Sequence, residues 1–321
     1  MMYKLLTIAK NTFVETLRQP VYAVIIAAAL LLFLISPALS MYTMDDDNKL
    51  LRELGLSTLF ITSLFVAIFS AAGAVSIEME NKTILTVLTK PVQRPIFILA
   101  KFLGVVGAVA LAHYLCTIAL LMTIRHGVLS TASDTHDWTV VGSAAAVAVA
   151  TVLLGAFFNY AYDWKFSSTA VVLAAIFGTL TLVFLALIDR DWQFNPAKNS
   201  ISRLDVYGSI LLFLAAVVIA AMAVAISSRF NIVVTLSACI GVFLLGLVSD
   251  WVFGRFADTH LWAQAGRLLI PNLQVFWISD AIYEGSVVPF RYILITASYA
   301  VCYTVGILAV AVALFQRRQV A

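Results

Sequence analysis

The feature that most constrains this chain is a series of long apolar runs that recur from residue 21 onward. A helix that crosses a bilayer needs about 20 consecutive, predominantly apolar residues. The chain is 62% hydrophobic and 12% charged, whereas soluble domains are about 45–50% apolar and about 25% charged. Eight spans are predicted, at residues 21–42, 56–77, 96–124, 140–162, 167–188, 206–226, 232–253 and 292–315.

The predicted fold class is therefore an all-α integral membrane protein, with residues 1–321 forming one bundle of about eight transmembrane helices. Basic residues close to helix ends favour the cytoplasmic side. Lys165 and Arg229 occupy short turns, and Arg317 and Arg318 follow the last run. These segments are predicted to be cytoplasmic, which places both termini inside the cell.

Residues 1–19 have the pattern of an amphipathic helix. Leu6, Ala9, Phe13 and Leu17 recur on one helical stripe, and charged residues occupy the opposite side. Such a helix is expected to lie along the membrane surface and to lead into the first span at Pro20.

A second segment outside the spans, residues 255–290, is moderately polar and rich in aromatic residues. Aromatic residues of this kind favour the interface between membrane and water. We expect an outer re-entrant or interfacial helix pair at residues 268–283, broken at Pro271.

The connection between the second and third predicted spans, residues 78–95, has the pattern of a short amphipathic helix. Two carboxylates open it, where they suit the positive end of the helix dipole. An apolar face follows, and a lysine and a proline end the helix. Held between two spans, this helix suits mechanical contact with another protein, although an ordinary structured loop fits the pattern too. The residues are Glu78 and Glu80, then Ile84, Leu85 and Leu88, then Lys90 and Pro91.

The stretch from Glu78 to Gly104 resembles the signature of ABC transporter permeases of the type-2 exporter class. The resemblance is carried by the acidic pair, Thr83, the Lys90-Pro91-Val92 sequence, Arg94 and Lys101. In that family the loop after the second span is a coupling helix, which docks onto a separate ATP-hydrolysing subunit. The implied coupling residues are Glu78, Glu80, Lys82, Thr83, Ile84, Leu85, Leu88, Pro91 and Arg94.

The resemblance extends to the order of the surrounding segments, with some departures. A surface helix precedes the first span and an interfacial segment precedes the last, as in the family. Lys82 stands where the family commonly has glycine, and the family commonly has six spans, so six remain possible here. The resemblance implies a partner ATPase that binds ATP and Mg²⁺, a second permease subunit, and a multi-pass location in the bacterial inner membrane.

Three polar residues fall within or at the ends of predicted spans, where ionisable and polar groups are costly and are therefore candidates for function. Lys101 lies about one turn into the third span, from which its amine can reach the membrane surface. His113 lies deeper and is expected to hydrogen-bond to a neighbouring helix. Asn159 ends the fourth span and is expected at the interface.

Several kinds of chemistry have no motif in the sequence. The chain has no G-x-x-x-x-G-K-[ST] phosphate loop and no H-E-x-x-H or G-x-S-x-G pattern, so ATP hydrolysis and other catalysis are expected in a partner. No cofactor, metal or nucleic acid is predicted for this chain. His126 and His136 share one outer loop with Asp134 and Asp137, and a solvated loop is favoured there over a metal site.

The function predicted from sequence is that of a permease subunit that forms a translocation path and couples to an ATPase for export of an unidentified substrate. Two alternatives stay open. An ion-gradient-driven secondary transporter needs ionisable groups or broken helices at mid-membrane, for which His113 is the main support. A membrane-embedded enzyme or an assembly scaffold is the other.

Overall fold

The structure is a computed structural model that describes residues 2–41, 47–80, 93–129, 135–196, 199, 202–284 and 286–316. Within those ranges the chain is helical and contains no strand, only one isolated bridge between Ile188 and Phe194. The all-α class is thus confirmed for the described residues. In chain order the helices are α1 (Met2–Arg18), α2 (Pro20–Ser40), α3 (Asp47–Glu80), α4 (Arg94–His126), α5 (Trp138–Tyr162), α6 (Phe166–Leu187), α7 (Arg203–Ser227), α8 (Ile232–Leu247), α9 (Ser249–Val252), α10 (Leu261–Leu269), α11 (Ser279–Tyr283) and α12 (Phe290–Gln316).

Seven of these helices, α2 to α7 and α12, are long and apolar enough to cross a membrane. An eighth span results if the bent pair formed by α8 and residues 249–256 counts as one. Each predicted span corresponds to one of these elements. The second begins earlier than predicted, at Asp47, because Leu51 and Leu56 bury one face of its first turns despite the polar residues between them.

The span formed by α8 and residues 249–256 bends by 69° between residues 247 and 249. The amide of Leu273 donates to the carbonyl of Gly246 at 3.0 Å. Gly246 has no side chain, and a Cβ there would lie 2.8 Å from the Pro271 carbonyl oxygen. The segment that follows α10 therefore packs directly onto the backbone of α8. Its Leu273 amide occupies the Gly246 carbonyl, which in a straight helix would accept an intrahelical hydrogen bond.

Three helices, α3, α4 and α7, form the centre of the bundle. They pack against one another, and most of the apolar stretch of each is buried within the chain. Alanine dominates the buried surface of α7, which includes Ala215, Ala216, Ala220 and Ala221. Small side chains let helix backbones approach closely where no hydrophobic effect drives association.

The remaining spans lie at the periphery. The hairpin of α5 and α6 joins the centre chiefly through contacts of α6 with α4. Only 17% of the apolar window of α5 is buried within the chain, against 78% for α3, so α5 presents most of its apolar surface outward. Along α2, Pro37 removes a backbone donor, and the carbonyl of Phe33 instead accepts from the hydroxyls of Ser36 and Thr123.

The N-terminal helix α1 packs along α4, a contact that sequence analysis did not predict. A Cβ at Gly104 would lie 2.6 Å from the carbonyl oxygen of Ala9 and from Cβ of Thr12, so the backbones meet there. Gly107 faces Phe13 in the same way. Much of the predicted apolar stripe thus contacts protein, while Leu6 stays exposed.

The helices alternate between two ends of the bundle. At the Lys165 end, α3 ends and α4 begins, and the turns at residues 163–165 and 228–231 lie there. At the Arg125 end, α2, α4 and α6 end, α3, α5 and α7 begin, and the described residues between α9 and α12 lie there. These last residues include α10 and α11 on either side of Pro271, and both helices are too short to cross a membrane.

Candidate functional site

The predicted coupling segment falls largely outside the described residues. Six of the named positions lie there, namely Lys82, Thr83, Ile84, Leu85, Leu88 and Pro91. Glu78 and Glu80 lie in the last turn of α3, and Arg94 is the first residue of α4. The structure therefore describes the two helices that lead into and out of this segment.

Those two helices are unusually long. At 1.5 Å per residue, the 34 residues of α3 span about 51 Å, and the 33 residues of α4 span about 50 Å. The hydrocarbon core of a bilayer is about 30 Å thick. Both helices therefore extend well past a bilayer core, and together they connect residues 81–93 to the Arg125 end without a break.

Lys101 lies in the part of α4 close to the Lys165 end, and its environment differs from the prediction. Lys101 is only 3% exposed, so its amine is enclosed by the protein. Nζ lies 5.7 Å from the centre of the Phe97 ring, a cation–π distance. Phe97 in turn stacks on Phe315 of α12, with ring centres 5.8 Å apart. Lys101 is thus a buried, packed residue near the N-terminus of α4.

His113 lies at the centre of the bundle and bridges three helices. Its Nδ1 is 2.7 Å from the Ser63 hydroxyl of α3. Its Nε2 is 2.9 Å from the Ser209 carbonyl oxygen of α7, with the Ser209 hydroxyl at 3.1 Å. The Thr117 hydroxyl, one turn along α4, lies 2.7 Å from that same hydroxyl.

The partners of His113 place a hydrogen on Nε2. A carbonyl only accepts, so Nε2 donates to the Ser209 carbonyl. Nδ1 lies 2.7 Å from the Ser63 hydroxyl, which is also 2.8 Å from the carbonyl of Leu59. Both ring nitrogens are satisfied, as the sequence-based expectation of a bond to a neighbouring helix requires. The arrangement fixes the register of the three central helices and leaves no lone pair directed at a ligand.

Asn159 has a local role at the Lys165 end. It is exposed, and its amide donates to the carbonyl of Trp164 at 2.5 Å. Asp163 adopts a left-handed conformation with φ of 55° in the same turn. Asn159 therefore closes the α5–α6 hairpin, consistent with the predicted place at the end of the span.

A cluster of ion pairs at the Arg125 end was not anticipated from the sequence. The side chain of Asp137 is 0% exposed and caps the N-terminus of α5 through the amides of Thr139 and Val140. Nε of Arg125 lies 3.5 Å from one carboxylate oxygen of Asp137, and Nε of Arg190 lies 3.4 Å from the same oxygen. The cluster joins the ends of α4, α5 and α6.

The electrostatic environment of Asp137 favours its ionised form. Burial alone raises the pKa of a carboxyl group, but the hydrogen bonds from Thr139 and Val140 and the charges of Arg125 and Arg190 outweigh it. The pKa of Asp137 is consequently held below its usual value. A carboxylate that is ionised at neutral pH is thus built into this end of the bundle.

Arg125 also donates from Nη2 to the Thr139 hydroxyl at 3.2 Å, and both arginines donate to backbone carbonyls. Arg125 donates from Nη1 to the carbonyl of Leu185 and from Nη2 to the carbonyl of Ile188, so its guanidinium caps the C-terminal end of α6. Arg190 donates from Nη2 to the carbonyls of Arg125 and His126, at 3.2 and 3.0 Å. Each arginine therefore supplies donors to helix-terminal carbonyls that lack an intrahelical partner.

A second ion pair joins the first turns of α3 and α7. Nε of Arg52 lies 3.5 Å from a carboxylate oxygen of Asp205, whose side chain is only 4% exposed. The geometry is that of a charge contact rather than a hydrogen bond: within the described residues, this buried Nε has no hydrogen-bond partner. Arg52 is thus less completely engaged than Arg125.

Two adjoining cavities open between these charged groups. The first, about 340 Å³, has an apolar wall from α4 and α6 and a polar wall that includes Asp137, Asp189 and Asp205. The second, about 310 Å³, is lined by Asn48, Leu51, Arg52, Ile124, Arg125, Gly127, Val128 and Arg190. Arg52, Ile124, Arg125 and Arg190 border both.

Near these cavities, His126 and His136 approach each other, with 3.4 Å between Nε2 of the first and Nδ1 of the second. Asp134, the carboxylate considered with them, lies outside the described residues. Over the ranges that are described, no three histidine, cysteine, aspartate or glutamate side chains converge as a metal site would require.

Comparison with known proteins adds no family to this picture. No protein-family model matches the sequence, and no curated protein is significantly similar to it.

Proposed function

We propose that this chain is the membrane-spanning permease subunit of an ATP-driven exporter, with a separate ATPase docked at the Lys165 end. The observation that carries the proposal is the resemblance of residues 78–104 to the coupling region of type-2 ABC exporter permeases. The placement of α3 and α4 supports it, because both lead from that region through the centre of the bundle.

The proposed coupling acts through packing. The apolar face of Ile84, Leu85 and Leu88 inserts into a groove of the ATPase, and Glu78, Glu80 and Lys82 add charge pairs at its rim. Closure of two ATPase subunits on ATP then displaces the ends of α3 and α4. Helices packed as closely as these move as rigid bodies, because a dense interior deforms little.

The proposed assembly contains two permease subunits, either copies of this chain or a sister chain, around a shared path. ATP and Mg²⁺ bind in the partner ATPases. In this arrangement the Lys165 end faces the cytoplasm of a bacterial cell and the Arg125 end faces outward, as the basic turns favour. The coupling region does not define the transported substrate, because the substrate would contact the translocation path and not this region.

The direct test is affinity purification of the tagged chain in mild detergent, with mass spectrometry of the proteins that accompany it. We expect a stoichiometric partner that contains a G-x-x-x-x-G-K-[ST] loop. A chain that purifies alone, where known permease complexes survive, would contradict the proposal. The ion-driven transporter, with His113 as its first candidate residue, would then take its place.

Variants locate the docking surface. Leu85→Asp and Leu88→Asp each place a carboxylate on the apolar face and should abolish recovery of the ATPase while leaving membrane insertion intact. Phe230→Asp is the matched control, because it adds the same charge to an exposed turn at the same end. Equal recovery of the ATPase with Leu85→Asp, Leu88→Asp and wild type would exclude this surface.

A further inference from the structure

We propose that the two adjoining cavities at the Arg125 end form a binding site for an amphipathic anion, with its phosphate or carboxylate head held by Arg52 and Arg190. This proposal concerns the end of the bundle opposite the coupling segment. It does not depend on the docking of an ATPase.

The second cavity is bounded by positive charge. Three guanidinium groups, those of Arg52, Arg125 and Arg190, line its wall together with the amide side chain of Asn48. None of the described residues that line it carries a carboxylate. Guanidinium and amide N–H groups are donors that match phosphate and carboxylate oxygens.

The carboxylates of this region lie on the side of the first cavity. Asp137 and Asp205 contact the arginines there. Asp189 also borders that cavity, and it accepts from the amides of Asp191 and Gln193. The charges are therefore separated in space, with carboxylates on one side of the guanidinium groups and an acid-free cavity on the other.

The three arginines have different freedom to bind a ligand. Arg125 is committed to the carbonyls of Leu185 and Ile188 and forms a fixed wall. Arg190 has a side chain that is 56% exposed; its Nε faces Asp137 and its Nη2 donates to the carbonyls of Arg125 and His126, so Nη1 carries the donors that remain for a ligand. Arg52 has a side chain that is 30% exposed; its buried Nε faces Asp205, so its Nη groups are the donors that remain for a ligand. Arg52 and Arg190 are thus the two that can turn donors toward an anion.

The glycine between these side chains keeps the cavity open. Gly127 has φ of 71°, a conformation that favours glycine. A Cβ at this position would lie 3.9 Å from Nη2 of Arg190 and 3.9 Å from Oδ1 of Asn48. Any larger side chain would therefore project into the part of the cavity between Arg190 and Asn48.

The first cavity supplies an apolar surface beside the anion site. Leu121 and Met122 of α4 face Leu182 and Leu185 of α6 across it. A ligand that occupies both cavities must carry an anionic head and an apolar part. An anionic lipid of the outer leaflet and a soluble amphipathic phosphate or carboxylate share this chemistry.

The test is a binding measurement on the full chain in nanodiscs of zwitterionic lipid. One arm titrates inorganic phosphate, and the other titrates fluorescent phosphatidylglycerol. We expect saturable binding in at least one arm. Binding of phosphatidylglycerol alone identifies a lipid headgroup, whereas binding of inorganic phosphate identifies a free anion.

Three variants decide whether the binding occurs at this site. Loss of one charge-assisted contact should lower affinity by about ten-fold, so Arg52→Gln and Arg190→Gln should each weaken binding by that factor. Arg255→Gln is the matched control, because it removes an exposed arginine at the same end but away from the cavities, and it should bind as wild type. Because Arg52→Gln leaves the buried Asp205 unpaired, Arg52→Gln/Asp205→Asn provides the same test in a charge-balanced background. Absence of saturable binding in both arms, or unchanged affinity in the arginine variants, would overturn the proposal.

Discussion

The two ends of the bundle solve the problem of placing charge beside a membrane in different ways. At the Lys165 end the connections at residues 163–165 and 228–231 are short, and Asp163 and Lys165 are exposed. At the Arg125 end, Asp137 and Asp205 are buried and contact three arginines from different helices. One end is closed by turns and the other by ion pairs.

This difference bears on function because α3 and α4 run through both ends. They connect the proposed coupling segment to Arg52 and Arg125, which border the proposed anion site. A displacement of these helices at the Lys165 end would therefore change the spacing of the guanidinium groups at the Arg125 end. Under the proposed coupling, a rigid-body motion would act chemically at the ion-paired end.

The largest expected effect comes from the same substitution made at each end. Asp137→Asn leaves two guanidinium groups beside a neutral side chain, and removing one partner of a buried pair costs about 3 kcal/mol or more of unfolding free energy. Asp163→Asn, at an exposed position that adopts a left-handed conformation, should change it by less than about 0.5 kcal/mol. Denaturant titration of the purified proteins in detergent measures both, and equal effects would remove the distinction between the ends.

A smaller effect is expected where α1 meets α4. Gly104→Val would place side-chain atoms against the Ala9 carbonyl and Thr12, and overpacking of this kind costs about 2 kcal/mol. Gly142→Val is the control, because no atom lies within 4 Å of a Cβ at that position. Limited proteolysis should release α1 from the Gly104→Val protein alone, and a protected α1 in that variant would contradict the contact.

Substitution of His113, which lies between the two ends, should lower the unfolding free energy by a smaller amount. His113→Ala removes the bridge between Ser63 and Ser209, and a buried hydrogen-bonding group left without its partner costs about 1–2 kcal/mol. His136→Ala, at an exposed residue of the Arg125 end, should leave the unfolding free energy unchanged. A loss of transport in His113→Ala without any loss of stability would point instead to a proton-coupled role.

The smallest effect is the pH dependence of the Arg125 end. The folded pKa of Asp137 lies below its usual value, so its contribution to stability is complete above the unfolded pKa and is lost as pH falls through the folded pKa. The difference in unfolding free energy between wild type and Asp137→Asn should accordingly shrink below about pH 4, near the unfolded aspartate pKa. A difference that stays constant or grows on acidification would show that Asp137 is not held ionised by its neighbours.

Sequence periodicity was sufficient for the elements that depend on local composition. The long apolar runs predicted the spans, and the stripe through Leu6, Ala9, Phe13 and Leu17 predicted an amphipathic helix at residues 1–19, where α1 spans Met2–Arg18. The partner of that stripe was not predicted, because it depends on Gly104 facing α1 in three dimensions. The bend after residue 247 likewise depends on Leu273, which is distant in sequence.

The ion-pair cluster escaped prediction for the same physical reason. Arg125, Asp137 and Arg190 each look like an ordinary charge at the end of a span, and only the packing of α4, α5 and α6 brings them together. One signal was available: an arginine or aspartate stands within a few residues of the ends of α3, α4, α5, α6 and α7 that alternation places on one side. The coupling residues 82–91 lie outside the described part of the chain and stay a prediction.

We propose that energy coupling and anion binding reside at opposite, separable ends of this bundle. The most direct measurement records ATPase recovery and anion affinity together for wild type, Leu85→Asp/Leu88→Asp and Arg52→Gln/Asp205→Asn. We expect a crossed result, in which the first variant loses the ATPase but binds the anion, and the second keeps the ATPase but binds the anion about ten-fold more weakly. Variants that lose both properties together while remaining folded, or that lose neither, would contradict it.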